Sequence, residues 1–107
     1  MKNVYVAGRY RGKSEYEVTQ NIRAAEDVGV ALLRAGHVPW IPHKAFAYLG
    51  GAADDSVFLN ADLWLMRKCD AVVVVPGWET SSGTKAEIAE AEKRGIPVFY
   101  WPDTPST

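Results

Sequence analysis

Two carboxylates in this chain stand where a charged side chain would have chemistry to do. Glu87 ends the segment Trp78-Glu79-Thr80-Ser81-Ser82-Gly83-Thr84-Lys85-Ala86-Glu87, which follows an unbroken run of valines, Val72 to Val75. A helix expected from Thr84 to Arg94 would place Glu87 in its first turn. The partial positive charge there favours an ionised carboxylate, the form that a nucleophile requires. Gly83, just ahead, would let a substrate approach the backbone closely. A structural role competes with this one. Thr84-x-x-Glu87 has the spacing of a capping box, in which the glutamate only bonds back to the amide at the helix start. Sequence leaves both open.

Asp62 stands out by position. On a helix expected from Val57 to Lys68, at about 100° per residue, Phe58, Leu59, Ala61, Leu63, Leu65 and Met66 form an apolar arc. Asn60, Trp64, Arg67 and Lys68 collect on the other side, and Asp62 falls near the middle of the arc. A charge aimed at a core is costly unless it is paired or faces a polar cavity. Asp62 therefore either caps or pairs locally, or faces a functional cleft.

Further groups cluster around these two. Ser81, Ser82 and Thr84, with the free amides of the helix start, would make an anion nest. Arg9 and Arg11, in Gly8-Arg9-Tyr10-Arg11-Gly12, could supply opposing charge. Singly these are ordinary N-cap and surface residues; together at adjacent strand ends they favour a phosphate or carboxylate ligand. Tyr5, Tyr10, Trp40 and Trp78 could offer a flat wall for a base, although aromatics more often fill cores. His43, after Pro42, is a candidate ligand contact, whereas His37 reads as buried in a strand. Both histidines lack zinc-ligand spacing and cysteine partners. Gly8-x-x-x-Gly12 is not the dinucleotide fingerprint, and no phosphate-loop Gly-Lys-Ser/Thr is present. No serine sits in a nucleophile elbow.

The elements that must position these residues alternate. Strands are expected at Val4–Ala7, His37–Ile41, Asp70–Val75 and Pro97–Tyr100. A helix carries Ile22, Ala25, Val28, Ala31 and Leu32 and stops at Gly36; the other two are those above, the last closed by Gly95. Pro42–Ser56 reads as a loop, and Trp101–Thr107 as an irregular tail. A continuous valine run, not an alternating one, marks a strand covered on both faces. The expected fold is thus α/β: a three-layer, Rossmann- or flavodoxin-like parallel sheet of about four strands with helices on both faces. Ligands of such sheets bind beyond the C-terminal strand ends. That selects the loops after Ala7, Ile41 and Val75.

The 107 residues suffice for one domain, 1–107. A chain of this length buries only about two thirds of its unfolded surface, so a concave site would borrow walls from a second copy. The net charge of −1, with both signs interspersed, argues against nucleic acid or an anionic membrane as partner. The single cysteine, Cys69, excludes an intrachain disulfide framework and reads as a buried structural thiol. With no signal-like or membrane-length apolar stretch, a soluble, cytoplasmic protein is expected.

These residues resemble the nucleoside 2-deoxyribosyltransferase-like superfamily, its small bacterial and phage members above all and, more distantly, the deoxynucleoside-monophosphate N-glycosidases. The resemblance rests on Val4-Tyr5-Val6-Ala7-Gly8, Arg11-Gly12, Gly36-His37, Pro42-His43, Asp62, Cys69-Asp70-Ala71 and Pro76-Gly77-Trp78-Glu79-x-Ser81-x-Gly83-x-x-x-Glu87. It implies retaining attack by Glu87 on the anomeric carbon of a deoxyribosyl group. Asp62 would contact the sugar or assist departure of the base. Tyr5, Gly8, Arg11 and Gly12 would line the sugar and phosphate site, and Ser81 would contact phosphate. It further implies a homodimer or higher homo-oligomer that completes the site, and no metal or organic cofactor. Two other classes stay open: a module that binds a nucleotide without cleaving it, and an interaction protein that keeps only the fold.

Overall fold

The computed structural model describes residues 1–106. Four parallel strands, β1 (Asn3–Ala7), β2 (Val38–Trp40), β3 (Ala71–Val74) and β4 (Val98–Tyr100), form one sheet in the order β2-β1-β3-β4. The helices are α1 (Glu15–Arg34), α2 (Pro42–Ala45), α3 (Asp55–Met66) and α4 (Ser82–Lys93). From β1 the chain steps one way to β2 and then back across to β3. Connections of one hand must therefore cross opposite faces of the sheet.

The side chains follow this rule. Val4 and Val6 of β1 meet Ala25, Val28 and Leu32 of α1, together with Val73 and Val75. Tyr5 and Ala7 point the other way, to Met66 of α3, Ile88 and Ala91 of α4, and Val72 and Val74. Successive strand residues face opposite sides, and both sides are covered, so beyond the exposed Asn3 the two central strands are buried at every position. The edge strands β2 and β4 are only half-buried, and β2 carries Pro39, a residue that an edge tolerates.

The boundaries differ from the sequence expectation where caps decide them. Helix α1 reaches back to Glu15 because Ser14 Oγ accepts the Glu17 amide at 3.2 Å, while Glu17 Oε1 accepts the Lys13 amide at 3.1 Å. The expected Pro42–Ser56 loop contains α2, with Pro42 at its first position, where a missing N–H costs nothing. Helix α3 starts at Asp55, two residues early.

The tail from Trp101 has no regular structure through Ser106, and Thr107 of the expected tail lies outside the described residues. Pro105 is nonetheless buried. Its carbonyl accepts a hydrogen bond from His37 Nε2 at 3.1 Å, and His37 Nδ1 accepts the Lys2 amide at 3.3 Å. His37 thus ties the start of the chain to its tail and takes no part in the cavity. Among the described residues no helix is long and apolar enough to cross a membrane.

Candidate active site

Strand β1 is the point from which the connections diverge, and a cavity of about 750 Å³ opens above the C-terminal ends of β1, β2 and β3. This is the position that the topology favours for a ligand. Its walls are the loop after β1, the start of α2, one face of α3 and the start of α4. The cavity brings Glu87 and Asp62 together with Gly8, Arg9, Tyr10, Arg11, Gly12, His43, Ser81, Ser82 and Gly83.

Glu87 is only 5 % exposed and belongs to the second turn of α4, not the first. The helix begins at Ser82 because Ser81 caps it, its Oγ accepting both the Thr84 amide at 3.2 Å and the Thr84 hydroxyl at 2.9 Å. The capping-box alternative for Glu87 therefore fails: the Thr84 amide is already satisfied, and Glu87 Oε2 accepts from the hydroxyl of Tyr5, buried in β1. The expected help from the helix start is correspondingly weak, since it fades beyond the first turn. Burial dominates instead and pushes the Glu87 carboxyl up to about 8, with the Asp62 charge adding and the Tyr5 hydrogen bond opposing. Burial, then the charges of Glu87 and Asp62, pushes the Tyr5 hydroxyl far up. Tyr5 is accordingly a permanent donor.

Asp62 faces the cavity alongside Phe58 and Leu59 of α3. Burial raises its carboxyl to about 6, and its Oδ1 is buried with no partner among the described residues. Two raised carboxyls thus share one site, and the Asp62 charge helps hold the proton on Glu87.

His43 is buried, and burial lowers its basicity. Its Nε2 lies 3.1 Å from the Arg9 carbonyl, which can only accept. The proton is therefore on Nε2, leaving Nδ1 as an acceptor with no partner among the described residues. Gly8 is required beneath it, because a Cβ there would lie 2.9 Å from Val75 Cβ. A Cβ on Gly83, in contrast, would enter open space. The amides of Ser82 and Gly83 are among those that a helix start leaves free, and they border the cavity.

The loop after β1 is braced from several sides. Arg9 bonds the Arg11 carbonyl at 3.0 Å and Thr80 Oγ1 at 3.2 Å. Asn21 Nδ2 holds the carbonyls of Tyr10 and Arg11, each at 3.1 Å. The Arg11 guanidinium reaches across to Asp55 at the first position of α3.

The expected aromatic wall needs correction. Trp78 lies in a short 3-10 turn, Trp78–Thr80, and packs on Tyr100 at 5.5 Å and on the core beneath α4, outside the cavity. Trp40 lies on the opposite edge with its Nε1 on Asn3 Oδ1 at 3.2 Å. Tyr5 lies beneath Glu87 and does not line the wall. The aromatic lining is Tyr10 with Phe46 and Phe58, the two phenylalanines meeting edge-on at 5.4 Å. Phe46, Asp55 and Thr80 escaped sequence reasoning. Phe58 had its signal, four residues before Asp62 and on the same helix face. Cys69 is a buried thiol, pushed up to about 11 by burial and by Asp70. Among the described residues no group of three or more His, Cys, Asp or Glu could hold a metal ion.

A protein-family model described as a domain of unknown function, DUF7768, matches residues 2–101. The chain belongs to the DUF7768 family. No curated protein matches it. Among solved structures, the DUF7768 chain resembles the 2-deoxyribosyltransferase of the psychrotolerant bacterium Bacillus psychrosaccharolyticus, with a TM-score of 0.67 and 19% identity over 92% of this chain and 70% of that one. It also resembles a conserved protein from Enterococcus faecalis V583, with a TM-score of 0.68 and 24% identity. That match covers 94% of this chain and 62% of the Enterococcus protein, so the DUF7768 chain spans less than two thirds of that relative. The four-stranded parallel sheet with its helices is thus the fold of a 2-deoxyribosyltransferase.

Proposed function

We propose that this protein cleaves the N-glycosidic bond of a deoxynucleoside or its 5′-monophosphate, with Glu87 as nucleophile. The observation that carries this reading is the pair of raised carboxyls, Glu87 and Asp62, in one cavity, with Tyr5 bonded to the first. The Tyr5 bond holds Glu87 Oε2 and leaves Oε1 for attack. Oε1 bonds to the anomeric carbon as the carbon–nitrogen bond breaks, and the electron pair leaves with the base. The departing base takes its proton from solvent, while Asp62, ionised wherever Glu87 is, accepts from a hydroxyl of the sugar. Water, or a second base, then attacks the same carbon, loses a proton to Asp62 and from there to solvent, and frees the Glu87 carboxylate. This is the two-step logic of retaining glycosidases. The Ser82 and Gly83 amides with Arg9 and Arg11 supply the setting for a 5′-phosphate. Tyr10, Phe46 and Phe58 supply apolar surface for the base.

Incubation with a panel of deoxynucleosides and their 5′-monophosphates, read by chromatography of free base, is the test. Release from at least one compound is expected; no release from any after long incubation overturns the reading. One observation favours a second reading, a module that binds nucleotide without cleaving it. Burial leaves Glu87 largely protonated at neutral pH, and a neutral carboxyl is a hydrogen-bond donor, not a nucleophile. That case predicts ligand affinity that survives Glu87→Gln, with no base release by either protein.

The reading includes a second copy of the chain. Helix α3 has a largely apolar sequence, yet only Met66 is fully buried; Val57 and Trp64 are exposed, as are Tyr48 and Leu49 in the segment before it. An apolar helix face of this kind is normally covered. Light scattering at micromolar concentration is expected to give a dimer or larger assembly, and a monomer would count against it.

A further inference from the structure

The two arginines of the first loop are held in different ways. Arg9 is built into the wall, bonded to the Arg11 carbonyl and to Thr80. The Arg11 guanidinium has one partner among the described residues, the carboxylate of Asp55 across the cavity mouth. Both side chains are exposed, at 72% and 75%, so the pair is weak, on the order of 0.2–1 kcal/mol. Arg11 and Asp55 both line the cavity. A phosphate group competes well for a guanidinium, because it offers paired oxygens and greater charge.

We propose that Asp55 is a specificity-determining residue, an internal competitor that occupies Arg11 until a phosphate group displaces it. The proposal rests on the reading of the cavity as a nucleotide site. A ligand without phosphate leaves the Arg11–Asp55 pair intact. A phosphorylated ligand must take Arg11 from Asp55 and then lies close to the freed carboxylate. Asp55 therefore weakens the binding of anionic ligands relative to neutral ones, and it retakes Arg11 when an anionic product leaves. The fold gives Asp55 this place: it is the first residue of α3, beside an N-cap, Asp54, whose side chain makes no cap bond. The mouth thus carries a carboxylate at the start of α3, in a cavity that the anion-favouring start of α4 also lines.

Calorimetric titration of the full chain with 2-deoxyribose 5-phosphate, and with 2-deoxyribose as the uncharged control, tests this. Asp55→Asn is expected to bind the phosphorylated sugar about 1.4-fold to fivefold tighter, the range set by an exposed ion pair. Binding of 2-deoxyribose should be unchanged, and the gain should vanish in an Arg11→Gln background. Asn keeps a helix-compatible side chain at this position, and an unaltered melting curve would show that the fold is kept. If Asp55→Asn binds the phosphorylated sugar no tighter than wild type, or tightens both sugars alike, the role of Asp55 is overturned while the cavity reading stands. If the phosphorylated sugar binds neither protein, the reading of the cavity as a site for phosphorylated ligands falls and the role of Asp55 falls with it, while base release from an unphosphorylated deoxynucleoside would still stand.

Discussion

Glu87→Gln is expected to lose base release by about a thousandfold or more, the scale on which a removed nucleophile is felt, and to melt higher than wild type in alkaline solution. The second effect follows from the first residue's burial. Folded Glu87 holds its proton up to about 8, against an ordinary value of 4.5. Between those values the unfolded chain binds fewer protons than the folded one, so stability falls as pH rises. The contribution is whole below 4.5, declines across the window and is lost above 8. Glutamine has no proton to lose. Its advantage in unfolding free energy should be small near pH 4.5 and largest above pH 8, on the order of a few kcal/mol. A variant that melts lower than wild type at every pH would show that the carboxyl is stabilised by something other than its proton.

Tyr5→Phe should act through the same atom without touching substrate. The hydroxyl is the donor that lowers the Glu87 carboxyl against the upward push of burial. Without it, the ionised form of Glu87 loses its partner and becomes scarcer at neutral pH. The wild-type dependence of kcat/KM on pH should rise with an apparent value near 8, because the nucleophile must be ionised in the free enzyme. In Tyr5→Phe that rise should move to higher pH, with kcat/KM at pH 7.5 reduced about tenfold to a hundredfold. Tyr5 is a positioning residue, so the displaced pH limb separates its role from loss of packing. An unmoved limb with lowered activity would leave Tyr5 a packing role only.

The sheet was legible because its strands carry their burial in their composition. Val72 to Val75 has no polar alternation and lies between α1 on one face and α3 and α4 on the other. Asp62 was legible for the opposite reason, as a charge within an apolar helical arc. Its arc faces the cavity through Phe58 and Leu59 as well as the core through Met66. Glu87 was legible as a residue but not in its environment. Its position relative to the helix start depended on whether Ser81 or Thr84 capped α4, and both residue types cap well. Its hydrogen-bond partner, Tyr5, lies 82 residues away, a distance over which local pattern carries no information. Trp78 was misplaced because an aromatic near a strand end serves a wall or a core equally well. Asp55 was invisible for a related reason: its meaning depends on Arg11 across the cavity mouth, and only the fold brings them together.

The central claim is a covalent bond between Glu87 and the deoxyribosyl group. Its most direct test is peptide mass spectrometry of protein denatured during turnover of whichever deoxynucleoside or monophosphate releases base. The account predicts a deoxyribosyl ester on Glu87, absent before substrate is added. Turnover with Glu87 unmodified at every time sampled, or an ester on another residue, would contradict it.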